Sequence, residues 1–102
     1  MTESVDVYGF GSFFKGKPRF NDIDVLVLHQ DVSARSCQFA IQCKHHLVAT
    51  VPLIDVTLLS KREEGETDFI KTSGALLLGR IGARSFEQDV GVIAERVKHT
   101  PQ

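Results

Sequence analysis

The chain has no tryptophan, three prolines and two cysteines in 102 residues. It shows no repeat and no low-complexity segment, and so offers no linker at which to divide it. Its length and 42% hydrophobic content suit one domain, residues 1–102, around one core. Cys37 and Cys43 lie six positions apart, a spacing that fits neither the close pairs of a zinc site nor a redox CxxC. Two thiols also make a poor disulfide framework, so both are expected reduced and buried. An excess of one charge is missing too. With 12 basic and 13 acidic residues the net charge is -1, which gives no global attraction to nucleic acid or an anionic membrane, and any nucleic-acid contact must be local. The first ten residues hold Glu3 and Asp6 and no apolar run suited to a leader. No stretch approaches the roughly 20 apolar residues of a bilayer span. A cytoplasmic protein with no membrane partner is the expectation.

Elements alternate along the sequence. Val5, Val7 and Phe10 recur among polar residues and Tyr8, so Ser4 to Phe10 reads as a strand that exits into Gly11-Ser12. Residues 15–21 form a polar, breaker-rich loop. Ile23 to Leu28 is a nearly continuous aliphatic run, which suggests a strand covered on both faces over part of its length. Cys37, Ala40, Ile41, Leu47 and Val48 predict a helix from Ser33 to about Val48, and Val51 to Leu59 reads as the third strand. Arg62 to Asp68 is a solvated loop or helix start, and Phe69 to Leu78 a short helix. Ser85 and Gln88 form a Ser-x-x-Gln capping box for a last helix with Phe86, Val90, Ile93, Ala94 and Val97 on one stripe. The order implies an α/β (α+β) domain, a small sheet with helices packed on it.

The chemistry concentrates early. Asp22 and Asp24 are one residue apart, so on a strand both project from one face. Carboxylates that close repel unless a cation lies between them, and Mg²⁺ takes such oxygens together with substrate phosphates. Asp55, flanked by Leu53, Ile54, Val56 and Leu58, is the candidate third ligand, since an aspartate in an apolar setting is costly unless paired. A DxD pair by itself is more often a strand-start turn than a metal site. Here it follows Gly11-Ser12, whose backbone and hydroxyl suit phosphate oxygens, and the basic residues Lys15, Lys17 and Arg19. His29, at a strand end, reads as a surface or turn residue rather than a ligand.

The run Phe10-Gly11-Ser12-Phe13-Phe14-Lys15-Gly16, followed by Asn21-Asp22-Ile23-Asp24-Val25-Leu26-Val27, resembles the signature of the DNA polymerase beta-like nucleotidyltransferase superfamily, most closely its minimal nucleotidyltransferase branch. In that family a Gly-Ser turn and an Arg-Gly pair precede Ser-Asp-Ile-Asp-Leu, and a third acidic residue lies on a later strand. Here Lys15 stands for the arginine, which keeps the charge and loses the bidentate fork, and Asn21 stands for the serine. The loop from Ser12 to Asp22 is about one residue shorter than the common pattern. The first strand starts without the helix that usually precedes it, which leaves an apolar patch expected to meet a partner.

The resemblance implies a polymerase beta palm-like fold and transfer of a nucleoside monophosphate, AMP from ATP first, to a hydroxyl on a protein or small molecule. It implies Asp22, Asp24 and Asp55 as catalytic ligands of Mg²⁺ or Mn²⁺, and Gly11, Ser12 and Lys15 as phosphate-binding residues. In bacteria this branch often pairs with a helical ribonuclease toxin, so an antitoxin role is a special case. A 102-residue chain leaves little surface for an acceptor, and a homodimer or partner protein is expected. The alternative is an inactive relative that serves as a binding or regulatory subunit. The three retained carboxylates argue against it.

Overall fold

In the computed structural model, which describes residues 2–100, the first strand obeys its alternation. In β1 (Ser4–Phe10), Val5, Val7 and Gly9 are buried, while Asp6, Tyr8 and Phe10 take the other, half-buried face. A short helical turn α1 (Gly11–Phe14) follows, then β2 (Ile23–His29), α2 (Ala34–Thr50), β3 (Ile54–Ser60), α3 (Lys61–Thr67), α4 (Phe69–Ser73), β4 (Leu76–Gly82) and α5 (Phe86–Lys98). The strands form one mixed sheet in the order β3-β2-β1-β4, with β1 antiparallel to β2 and β4, and β2 parallel to β3. This is the expected mixed α and β class, a small sheet with helices packed on it.

One sheet face carries the main core. Val5, Val7, Val25, Val27, Val56 and Ile81 pack against Phe39, Ala40, Cys43 and Leu47 of α2 and Val90, Ile93, Ala94 and Val97 of α5. Burying each of the larger side chains contributes about 1.5–3 kcal/mol relative to exposure. Leu26 and Leu28 are buried on the opposite face, in register with Tyr8, Asp6, Thr57 and Leu59. On that side Phe69 of α4 meets Phe10 edge-on, with ring centroids 5.0 Å apart. β2 is therefore covered on both faces over part of its length, as its continuous apolar run implies.

Several sequence expectations shift. Phe69 to Leu78 is not one helix: α4 stops at Gly74, which adopts the left-handed conformation at φ 66°, and Leu76 onward pairs with β1 as the strand β4. The third strand begins at Ile54, because Val51 still caps α2 and donates its N–H to the Leu47 carbonyl. Ile41 and Val48 are exposed, since the inward stripe of α2 runs through Ser36, Ala40, Cys43 and Leu47 and they lie about 100° around the helix from it.

The Ser85–Gln88 capping box is absent among the described residues. A 3₁₀ turn, Ala83–Ser85, precedes α5, and Ser85 donates its hydroxyl to Asp89 at 2.6 Å. The same carboxylate oxygen accepts the Gly82 N–H at 2.9 Å. A reciprocal capping box instead starts α3, where Ser60 Oγ accepts the Glu63 N–H and Glu63 accepts the Ser60 N–H.

His29 is not a surface residue. It is 6% exposed, and its Nδ1–H donates to the Asp31 carbonyl at 2.9 Å, beside Ser36 Oγ at 3.1 Å. Both thiols are free; Cys43 is buried, which pushes its thiol up to about 12, whereas Cys37 is half-buried. Among the described residues no helix is long and apolar enough to cross a membrane.

Candidate metal centre

Register brings the acidic residues together. β2 and β3 run parallel with Asp24 opposite Asp55, so the two carboxylates stand side by side on one face, and Asp22 lies one step before the strand. Side-chain oxygens of Asp22, Asp24 and Asp55 all lie within 4.8 Å of one another. Asp24 is half-buried and the other two are exposed. The apolar setting expected for Asp55 is confined to the opposite face of β3, because β3 is an edge strand and the Asp55 carboxylate opens to solvent.

On its other side Asp24 pairs in register with Phe10, the last residue of β1. The chain turns there. Gly11 adopts φ +80°, and a Cβ at this position would collide with the Asp24 carboxylate, so glycine both permits the turn and makes room for the cluster. The carbonyls of Gly11 and Ser12 both accept the Lys15 N–H at 3.2 Å, and that of Ser12 also accepts the Lys17 N–H at 3.1 Å. Phe13 holds the turn down, packed edge-on against Phe14 and Phe20.

Asp24 is held above the ordinary carboxylate range, first by burial and then by the charges of Asp55 and Asp22. The ion pairs among the described residues, Arg62–Glu66, Arg80–Asp6 and His99–Glu95, include none of the three. Three hard oxygen donors that repel one another and lack a protein cation fit a divalent metal of the Mg²⁺ or Mn²⁺ kind.

The phosphate-binding expectations divide. Ser12 lines an open cavity of about 550 Å³ together with Pro18, Arg19, Phe20 and Asn21. Gly11 lies against Asp24, while Lys15 is exposed and does not line that cavity. Arg19 takes the cationic place beside Ser12. In sequence it is one of several loop cations, and only the anchoring of neighbouring Phe20 on Phe13 singles it out. No family model, no curated protein and no solved structure matches the chain.

Proposed function

We propose, first, that the protein performs metal-assisted phosphoryl chemistry, and more particularly that it is a nucleotidyltransferase. On this reading it moves a nucleoside monophosphate, AMP from ATP first, to a hydroxyl acceptor on a protein or small molecule. The observation that carries the reading is the convergence of Asp22, Asp24 and Asp55 beside a Gly-Ser turn whose glycine leaves space for the Asp24 carboxylate. What supports the resemblance to minimal nucleotidyltransferases here is that Asp55 lies beside the carboxylate pair.

Asp22, Asp24 and Asp55 would hold Mg²⁺, which when bound neutralises triphosphate charge and lowers the pKa of a coordinated hydroxyl. Ser12 donates its hydroxyl to a phosphate oxygen, and Arg19, with Lys15 and Lys17 in the same loop, offsets charge on the departing pyrophosphate. Asp55, on the open edge strand, accepts the acceptor's proton as its oxygen attacks the α-phosphorus. The bond from that phosphorus to pyrophosphate breaks in the same displacement. The products are a phosphodiester that joins the nucleoside monophosphate to the acceptor, pyrophosphate, and the proton taken up by Asp55. An antitoxin that modifies a partner protein is one setting for this activity.

The test incubates the protein with each of four α-labelled nucleoside triphosphates and Mg²⁺ or Mn²⁺, beside an Asp22→Ala/Asp24→Ala variant. Label transferred to protein or a co-purified partner, and lost in the variant, is the expected result. Failure to bind any triphosphate would sink the reading and leave a partner-binding domain.

A further inference from the structure

An apolar groove of about 310 Å³ runs along the end of the sheet that bears the carboxylates. Phe13, Phe20, Ile23, Leu53 and Val97 line it, with Lys98 at its rim. Ile23 lies between Asp22 and Asp24 and turns into the core, so the groove it lines opens at the same end of the sheet on the face away from the carboxylates.

Leu53 is the unusual member. It adopts φ 67°, a left-handed conformation that leucine rarely takes, and the residue is 63% exposed. Its carbonyl is fixed by the Ile23 N–H at 2.9 Å, which extends the β2–β3 ladder. The chain therefore holds a strained residue in place with its apolar side chain in solvent along the groove, and strain of this kind concentrates at binding sites.

Charge indicates what fits. Lys98 is the charged residue of the lining, and Phe20 is shared with the neighbouring cavity that holds Arg19. The ion pairs among the described residues involve neither cation. A carboxylate on the occupant complements that rim, where Lys98 is the charged side chain of the lining. The groove is open, so a free apolar molecule in it would keep much of its surface in water. A side chain on a larger surface brings neighbouring contacts that exclude that water.

We infer that this groove docks a polypeptide segment of another protein, one that carries a bulky apolar side chain next to a carboxylate. The inference goes beyond nucleotidyl transfer and does not depend on it. Its test selects a displayed library of random peptides against the intact protein, without nucleotide or metal. Enriched peptides combine Leu, Ile, Phe or Trp with Asp or Glu, and a synthetic copy shifts the amide resonances of Phe20, Ile23 and Val97. Leu53→Asn weakens that peptide by about tenfold or more, and Lys98→Glu by about threefold. Asparagine tolerates positive φ, so the Leu53→Asn protein folds and a lost affinity reports the groove itself. No enrichment over bare support, enriched peptides without acidic residues, or unchanged affinity in both variants would overturn the inference. Decanoate binding more tightly than every selected peptide would also overturn it, by assigning the groove to a free apolar anion. Because neither triphosphate nor metal is present, this outcome is separate from that of the transfer assay.

Discussion

The two ends of β2 carry polar pairs that the fold treats in opposite ways. At its end, His29 stands in register with Ser60, and both are buried with their partners supplied: Asp31 and Ser36 for the histidine, Glu63 for the serine. At its start, Asp24 stands in register with Asp55, beside Asp22, and burial followed by the charges of those two carboxylates holds Asp24 above the ordinary carboxylate range. A buried polar pair without partners would cost stability, so the satisfied end is what the fold requires. The strained end has no such structural benefit, and conflict retained at one place is the usual mark of a functional site.

The largest expected effect tests the strained end. Asp22→Ala/Asp24→Ala lowers nucleotidyl transfer by about 10³-fold or more, because the metal site supplies several kcal/mol of charge stabilisation. Asp24→Asn abolishes transfer as well, yet raises the melting temperature of the metal-free protein, since it removes the repelling charge. In wild type, Mg²⁺ at about 100 times its Kd adds about 2.7 kcal/mol of stability, measured by thermal unfolding, and the double variant loses that gain.

Gly11→Ala comes next. The methyl group meets the Asp24 carboxylate in a backbone conformation that alanine resists, so unfolding free energy falls by about 1–3 kcal/mol and transfer falls with it. At the satisfied end, Ser60→Ala removes the α3 capping box and costs about 1 kcal/mol in chemical denaturation, with transfer unchanged. Comparable loss of transfer in Ser60→Ala and Gly11→Ala would erase the distinction between the ends.

The ends also titrate in opposite senses. The folded-state pKa of Asp24 is raised, so in the metal-free protein its contribution is favourable in acid and is lost as pH rises through that value. Glu63 is lowered, first by the backbone hydrogen bond from Ser60, so its contribution holds above the ordinary glutamate range and is lost as pH falls through the depressed value. Melting temperatures across the acidic range should therefore lose one component in Asp24→Asn and the opposite one in Glu63→Gln. Smallest of all, Leu53→Asn relieves positive-φ strain and raises stability by about 0.5 kcal/mol, read by the same denaturation.

Much of the site was legible because its residues are close in sequence. The single-residue spacing of Asp22 and Asp24 places both on one strand face, and the Gly-Ser turn announces the end of β1. Asp55 was nameable because its apolar flanks mark an aspartate on a third strand, where the resemblance also calls for an acidic residue. Its partnership with Asp24, however, depends on the parallel register of β2 and β3, which no local pattern encodes. Arg19 stood among several loop cations, and nothing local ranked it above Lys15. Leu53 carried no signal, since a left-handed leucine arises from the closure between α2 and β3 rather than from propensity.

The fold divides in the same way. Local alternation and helical spacing determined β1, β2, α2 and α5, because each has an apolar period that one covering layer satisfies. β4 was hidden: Leu76–Gly82 has two glycines and no clean alternation, and it is a strand because β1 offers it an unpaired edge. The capping boxes make the same point, since Ser85–Gln88 and Ser60–Glu63 both fit the pattern and only the second forms. By itself the sequence determined the mixed class, the apolar stripes and the carboxylate pair, all of which follow from spacing within a few residues. Tertiary structure decided the edge strand, the third carboxylate's place and the basic-rimmed groove, because each depends on contacts between segments whose separation along the chain local propensity cannot sense.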